Sequence, residues 1–276
     1  MKFSTPRAIA AAALLCTVVM PTAASAALLE LPLHKFYAAD RQPDERIDNG
    51  SYKSLMSELG LALGNKMVGP SQSLGALGFE AAFELSVAQT NAGTAGSGWD
   101  GTGVDGALQV GQLRVRKGLP YAMQAGCVLT HVFDSNLWAI GAELNFSLID
   151  GFVSVPDLAL RVNAQTMVGS ADISMLLTGA DLVLSKSFGI GGILSLQPWA
   201  AYSFTYQNVT TRQIEVYTNN STLEPELMLL KAVNNFAHRA AFGMRVVVTR
   251  VSIGGEFLHS FTNGLSVFTG KVGLDF

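Results

Sequence analysis

The feature that most constrains this chain is a period-two alternation of apolar and polar side chains, which recurs from Leu55 to the end. Between Leu77 and Val87, six apolar positions fall on one face, whereas Glu80 and Glu84 fall on the other. A helix would scatter these positions around its axis, but a strand places them on one side of a sheet. The alternation therefore predicts an all-β fold made of many strands that are each apolar on one face.

The composition of the polar face indicates which side of the sheet is the interior. Gly, Ala and Ser dominate this face and Lys is scarce, which is unlike a surface in contact with water. A soluble barrel with an apolar interior would instead carry a strongly charged exterior. Small polar residues with charges of both signs are typical of the lumen of a transmembrane β-barrel, whose apolar face contacts lipid. We therefore expect a closed antiparallel transmembrane β-barrel.

The last twelve residues, LSVFTGKVGLDF, form the clearest of these predicted strands. Phe268, Val272, Leu274 and Phe276 share one face, with Lys271 on the other. A final strand of this kind, ending on an aromatic residue, resembles the C-terminal strand of Gram-negative outer-membrane β-barrel proteins. The resemblance implies that Phe268, Val272, Leu274 and Phe276 form a signal for the barrel-assembly machinery. It also implies location in the outer membrane, in contact with its lipid, and closure of the last strand against the first.

The N-terminal residues are consistent with export. Lys2 and Arg7 precede an apolar run, and Ala24-Ser25-Ala26 matches an A-x-A cleavage site, so residues 1–26 are predicted to be a signal peptide. Residues 27–52 are expected to be a periplasmic lead-in segment, and residues 53–276 the barrel. Removing two basic residues with the signal leaves 16 basic and 21 acidic residues, a net charge of −5, which gives no support to nucleic-acid binding.

The number of strands follows from the count of alternating segments. Eleven segments follow Tyr52, the first of them at Leu55–Leu63, and bacterial barrels prefer an even number. Twelve strands are therefore predicted, with ten as the alternative. The alternation is interrupted near Gly111 and Gly179, which predicts bulges there.

The direction of the last strand predicts which connections face outward. Because that strand must run toward the periplasm, the turns near Gly118, Gly151, Gly189 and Arg250 are expected to be periplasmic. The longer connections at residues 90–105 and 208–235 are expected to be extracellular. Within the second of these, a short helix is predicted, capped by Ser221 or Thr222 and carrying Leu227, Leu230 and Val233 on one side.

Most residues that could form a catalytic, cofactor or metal site lack the sequence context that such a site requires. Residues 101–106, GTGVDG, match a dinucleotide-binding pattern but lead into a strand rather than a helix. Asp100 and Asp105 lack the ligand spacing of a calcium loop. His259 and Ser260 would point to opposite faces of a strand and cannot form a catalytic pair. We expect no catalytic residue, no cofactor and no metal, and therefore no enzyme.

The remaining candidates are charged residues on the predicted inner face. They are Glu58, Glu80, Glu84, Arg114, Arg116, Glu143, Arg161, Arg239, Arg245, Glu256 and Lys271. Pairing across neighbouring strands would stiffen the wall, and a polar path would admit small polar solutes. The favoured function is a narrow channel or passive transport protein. The alternatives are a barrel with a closed lumen that acts through its extracellular loops and, with less support, a lipid-modifying enzyme.

Overall fold

The computed structural model describes residues 31, 33–37, 47–66, 69–94, 97–152, 154–216 and 226–276. The predicted signal peptide and most of the lead-in segment lie outside these residues. Within them the chain forms a short 3-10 helix at Leu33–Phe36, one α-helix, α1, at Asn49–Leu63, and thirteen strands. The strands are β1 Phe79–Gln89, β2 Ala107–Leu119, β3 Met123–Val132, β4 Trp138–Ile149, β5 Asp157–Val168, β6 Ile173–Ser185, β7 Phe188–Ile190, β8 Leu194–Thr211, β9 Ile214–Val216, β10 Glu226–Met228, β11 Val233–Val248, β12 Val251–Ser260 and β13 Leu265–Asp275.

Ten of the strands close into an antiparallel barrel. Strands β1 to β6 pair in chain order, β6 pairs with β8, β8 with β11, and β11 to β13 continue the ring. The last strand then pairs with the first, with Phe83 opposite Val272. Strand β7 extends one edge of β8, and β9 pairs only with β10. The expected closure of the last strand on the first is confirmed, and the count of twelve strands is wrong.

The apolar face of the wall points outward. Phe79, Phe83 and Leu144 are 37%, 47% and 41% exposed, whereas Glu80 and Glu84 on the opposite face are buried. A closed barrel with an apolar exterior satisfies every backbone group of the wall internally and presents hydrocarbon to lipid. This is the architecture of Gram-negative outer-membrane β-barrel proteins, and it places the protein in that membrane. The described residues include no helix long and apolar enough to cross a membrane.

The two ends of the barrel differ in their connections. We call the end that holds Phe276 the terminal end and the opposite end the loop end. The turns at residues 120–122, 150–156, 186–193 and 249–250 lie at the terminal end. The connections at residues 90–106, 133–137, 169–172, 212–232 and 261–264 lie at the loop end. The turns predicted to lie together therefore do so, and the longest connections lie opposite them.

Residues 49–63 form a helix inside the barrel, so the prediction of a strand at Leu55–Leu63 is wrong. The carboxylate of Asp48 caps the helix by accepting hydrogen bonds from the backbone N–H groups of Gly50, at 3.1 Å, and Ser51, at 3.0 Å. The first wall strand begins only at Phe79. Removing this one segment from the eleven predicted strands leaves the ten that form the barrel.

The interruptions near Gly111 and Gly179 are not bulges. Strands β2 and β6 keep an unbroken register with both neighbours, and the one shift within the described pairings lies between Ser147 and Ile149. What changes at the two glycines is the chemistry of the inner face. Charged or amide side chains begin on the terminal side of each glycine, as at Gln112 and Asp181, and the loop side is apolar, as at Val110 and Leu177.

The connection after β8 contains strand rather than helix in its described part. Strand β8 runs to Thr211, and Ile214–Val216 pairs with Glu226–Met228 as a short antiparallel ribbon. The predicted helix is therefore wrong at Leu227. Its proposed caps, Ser221 and Thr222, lie outside the described residues.

Candidate functional site: the occupied lumen

Helix α1 lies within an apolar collar formed by the wall. We define the apolar collar as the inward-facing residues of the loop-end half: Leu108, Val110, Val132, Ala139, Met175, Leu177, Val209, Leu258 and Val267. The helix contributes Tyr52, Leu55, Met56, Leu59 and Leu63 to the same hydrophobic cluster, each between 0% and 1% exposed. The loop-end half of the lumen is therefore a packed core. The predicted polar lumen holds only for the other half.

Glu58 joins α1 to the connection between β1 and β2. Its carboxylate accepts hydrogen bonds from the indole N–H of Trp99 at 2.6 Å, from the backbone N–H of Asn91 at 2.9 Å and from the Asn91 side-chain amide at 3.0 Å. The Ser54 hydroxyl donates a fourth at 3.0 Å. Glu58, predicted to line the lumen from a strand, is thus a buried acceptor on the helix that holds the longest described loop in place.

A second set of contacts joins the segment before α1 to the same loop. The Lys35 ammonium donates hydrogen bonds to the carbonyl oxygens of Gly98 and Asp100, the latter at 2.9 Å. Partial burial lowers the pKa of Lys35, and the negative charge of Asp100 opposes that shift. A Cβ atom at Gly98 would lie 2.5 Å from the Leu55 Cβ and from the Ser51 carbonyl oxygen, so glycine is needed for this close approach.

The opposite side of the helix contacts β8, β11 and the turn after β12. The Asn235 side-chain amide donates to the Ser57 hydroxyl at 2.7 Å, which donates in turn to the Asn263 side-chain oxygen at 3.0 Å. The Gln207 amide donates to the Met56 carbonyl oxygen. Helix α1 is thus hydrogen-bonded to wall or loop on several sides at the loop end.

Arg114 holds the segment that follows α1 in the middle of the lumen. Its guanidinium donates to Glu84 at 2.7 and 3.0 Å and to Glu143 at 2.5 Å. It also donates to the Asn65 side-chain oxygen at 2.8 Å and to the Lys66 carbonyl oxygen at 2.5 Å. The Asn65 amide donates back to Glu143 at 2.8 Å. One buried cation therefore connects two strands of the wall with the chain inside it.

A second charged group lies nearer the terminal end. Glu80 accepts from Lys271 and lies 3.5 Å from Arg116 and 3.8 Å from Arg245. Arg116 also donates to Glu143 at 2.5 Å, which links this group to Arg114. Opposite charges in contact offset the cost of removing each from water, and the resulting network stiffens the wall.

All ten predicted lumen residues on strands are buried inside the barrel: Glu80, Glu84, Arg114, Arg116, Glu143, Arg161, Arg239, Arg245, Glu256 and Lys271. Arg161 lies 3.9 Å from Glu143, and Glu256 accepts from the Trp199 indole at 3.2 Å. Arg239 lies next to Gly64, just after α1. Most of these residues belong to one network of charge contacts. The network also binds the internal segment, and this contact was not predicted from the sequence.

The chain leaves the lumen at the terminal end. The Ser71 backbone N–H donates to the Ser185 hydroxyl at 2.9 Å, and the Ser147 hydroxyl donates to the Ser71 carbonyl oxygen at 2.7 Å. The Gly118 N–H then donates to the Gly78 carbonyl oxygen at 2.9 Å, directly before β1 begins. The described residues from α1 to β1 thus run through the lumen from the loop end to the terminal end.

The predicted assembly-signal residues lie on the outer face. Phe268, Val272, Leu274 and Phe276 are 53%, 49%, 45% and 61% exposed. Four apolar side chains are thus presented along the seam between the last strand and the first. Recognition by the assembly machinery stays a prediction.

The histidines supply no assembled catalytic or metal site. His259 faces outward and Ser260 is buried on the inner face, as their adjacency on a strand requires. The His259 Nδ1 instead lies 3.0 Å from the hydroxyl of Ser266, its partner on β13. Hydrogen-bonding pairs at facing positions are ordinary in sheets, so this contact carries no catalytic assignment. Among the described residues no group of three metal-ligating side chains occurs.

Comparisons with known proteins found outer-membrane barrels at low similarity. No family model and no curated protein matches the chain. Solved structures that match include the attachment invasion locus protein Ail of Yersinia pestis, at 10% identity over 73% of this chain and 99% of that one, with a TM-score of 0.28. Acinetobacter baumannii Omp33 matches at 9% identity over 74% and 100%, with a TM-score of 0.31. The translocator domain of autotransporter NalP from Neisseria meningitidis matches at 8% over 82% and 94%, with a TM-score of 0.35. Identities and TM-scores this low carry no argument about function.

Proposed function

We propose that this protein is an outer-membrane barrel with a closed lumen that acts through the surface at its loop end. The observation that carries the proposal is the burial of α1 in the apolar collar. A wall built to pass water and solutes would be polar along its whole length, whereas apolar side chains such as Leu108, Val110 and Leu177 form much of the loop-end half of this wall where it faces the helix.

The energetics favour a helix that stays in place. Full burial of a large apolar side chain stabilises by about 1.5 to 3 kcal/mol, so the five buried side chains of α1 together contribute on the order of 10 kcal/mol. Withdrawal of α1 would expose those side chains and the apolar collar to water. It would also break the hydrogen bonds of Glu58 with Asn91 and Trp99. An open state reached by thermal fluctuation alone would be too rare to sustain transport.

The loop end is the surface that such a barrel offers to partners. In barrels of this class the short turns face the periplasm and the long connections face outward. The connections at residues 90–106 and 212–232 are the longest. The first turn of α1 contacts both, because the Asn49 side-chain oxygen accepts from the Lys231 backbone N–H at 3.2 Å and Ser51 lies against Gly98. Beside that turn lies a polar cleft of about 430 Å³, which includes Lys53, Asn91 and Thr262 in its lining. We infer that contacts at the cell surface are made here, without an enzymatic step.

Recordings across planar bilayers test the closed lumen. Folded wild-type protein, verified by its heat-modifiable migration, is expected to give no single-channel current over a wide range of voltages. Proteoliposomes that contain it are expected to admit small sugars and ions no faster than empty liposomes. A reproducible current of fixed amplitude would contradict the proposal.

A gated channel is the second candidate function, because the terminal-end half of the lumen is polar. There the internal segment is held by Arg114, Asn65 and Glu143 through hydrogen bonds and charges rather than by apolar packing. Protonation of a carboxylate removes its contacts with a cation, whereas apolar packing does not depend on pH. Current that arises in wild-type protein only at low pH would favour this candidate.

A further inference from the structure

The direction of α1 inside the barrel determines where the segment before it lies. Asp48 caps the helix at the loop end, and Ser57 still contacts Asn235 and Asn263 there. Eight residues after Ser57, Asn65 contacts Arg114 deep in the lumen, and Ser71 contacts Ser185 at the terminal end. The N-terminal side of the helix thus points out of the loop end.

The residues before α1 are fixed at the same end. Lys35 donates to the carbonyl oxygens of Gly98 and Asp100 in the connection between β1 and β2. Phe36 packs edge-on against Tyr52, with 5.5 Å between ring centroids. Tyr37 forms a β-bridge with Ile47, directly before the Asp48 cap. Two independent contacts therefore keep the 3-10 helix at the loop end rather than inside the barrel.

We propose that the barrel displays the short helix Leu33–Phe36, which precedes α1, on the cell surface, with the chain crossing the lumen once between that segment and β1. The inference rests on the outward orientation of the loop end used in the proposed function. It differs from the expectation of a periplasmic lead-in segment, which would require the residues before α1 to lie at the terminal end. The role that follows is presentation: α1 anchors the segment, and the barrel anchors α1 in the membrane.

The contacts inside the lumen favour a segment that stays in place over one that is passing through the barrel. The wall contacts α1 by apolar packing at the loop end and holds Asn65 and the Lys66 carbonyl oxygen by Arg114 below it. The close approach of Gly98 to the Leu55 Cβ and the Ser51 carbonyl oxygen leaves no room for even one added carbon atom. These contacts are specific to this segment in this position.

Labelling of single cysteines on intact cells tests the display. The full-length chain is first freed of its own thiols by Cys16→Ala and Cys127→Ser, and one cysteine is then added. Lys53→Cys reports the first turn of α1, Ala171→Cys the connection between β5 and β6 at the loop end, and Ser154→Cys a turn at the terminal end. All three positions are exposed. The probe is a membrane-impermeant maleimide, applied before and after the outer membrane is permeabilised.

We expect Lys53→Cys and Ala171→Cys to react on intact cells and Ser154→Cys to react only after permeabilisation. Labelling of Ala171→Cys without Lys53→Cys would overturn the display, because the barrel would then be oriented as proposed with α1 hidden. Labelling of Ser154→Cys alone on intact cells would also overturn it, since the barrel would be inverted. Heat-modifiable migration of each variant shows that it has folded.

The experiments can contradict the closed lumen and the surface display independently of each other. A barrel that is silent in bilayers but leaves Lys53→Cys unlabelled on intact cells contradicts the display and not the closed lumen. A barrel that conducts, with Lys53→Cys labelled, contradicts the closed lumen and not the display.

Discussion

At the scale of single residues, the fold depends most on Arg114. Its side chain is 0% exposed and contacts Glu84 on β1 and Glu143 on β4 together with Asn65 of the internal segment. A buried ion pair adds little net stability relative to an apolar pair, but removing one partner leaves the other charge buried and uncompensated. Glu84 would lose both of its hydrogen bonds with Arg114, whereas Glu143 would keep its contact with Arg116.

Arg114→Met is therefore expected to lower the free energy of unfolding by about 3 to 5 kcal/mol. The measurement is equilibrium unfolding in urea of protein refolded into lipid vesicles. Arg212→Met is the matched control, because Arg212 is exposed at the loop end, and it should change the free energy by about 0.5 kcal/mol or less. Equal effects of the two substitutions would show that Arg114 is not the connecting residue.

Glu58 fixes the loop between β1 and β2 to the helix. Glu58→Gln keeps the size of the side chain but replaces one accepting oxygen by a donor that faces the N–H groups of Trp99 and Asn91. A hydrogen bond to a charged group contributes about 1.5 to 3 kcal/mol, so the loop should detach far more often. We expect chymotrypsin to cleave after Trp99 at least tenfold faster than in wild type. Asp105→Asn, an exposed change in the same loop, should leave the rate unchanged.

At the scale of elements, α1 behaves as the core of the barrel. Leu59 is 0% exposed among collar residues, whereas Leu229 in the connection before β11 at the loop end is 56% exposed. Leu59→Ala should lower the free energy of unfolding by about 2 to 5 kcal/mol, as for other buried leucines. Leu229→Ala, the same change at an exposed position outside the strands, should cost about 0.5 kcal/mol or less. Comparable losses in urea unfolding would mean that α1 is not packed against the wall.

The strands could be predicted from the sequence because the two faces of the wall have different surroundings. Lipid outside and charged groups inside impose a strict alternation, as in Glu80 to Glu84 of β1. Where the inner face contacts α1 instead, its residues are apolar, as at Val110 and Leu177, so the apolar and polar positions no longer alternate in the same phase along the strand. The sequence alone does not distinguish this from a bulge.

The helix was missed because nearly all of it is buried. Leu59, Leu61 and Leu63 alternate as in a strand, yet Tyr52, Leu55, Met56, Leu59 and Leu63 also recur at helical spacing. Two features favour the helix over the strand. Asp48 is a good N-cap residue, and residues 49–63 contain no Val, Ile or Thr. The partners of the helix, such as Trp99 for Glu58 and Arg114 for Asn65, are far apart in sequence and follow only from the closed ring.

At the scale of the whole molecule, the internal segment closes the lumen of the ten-stranded barrel. Apolar packing holds the segment near the loop end, and charge contacts hold it nearer the terminal end. The apolar collar holds α1 at the loop end, and Arg114 holds the following residues below it. Loss of either set alone leaves the other in place. The lumen should therefore stay shut unless both are weakened.

A variant that combines Leu55→Ala, Leu59→Ala and Arg114→Gln should conduct where wild type and each single change are silent. The two truncations remove apolar contact with the collar, and the third removes the cation that binds Asn65 and the Lys66 carbonyl oxygen. We expect a flickering current in planar bilayers, because the segment would leave the lumen and return to it. The amplitude of this current should be far below that of a wide pore. Leu113→Ala combined with Leu182→Ala, both on the outer face, is the control and should remain silent. A folded triple variant without current would mean that the wall itself, and not the segment within it, closes the barrel.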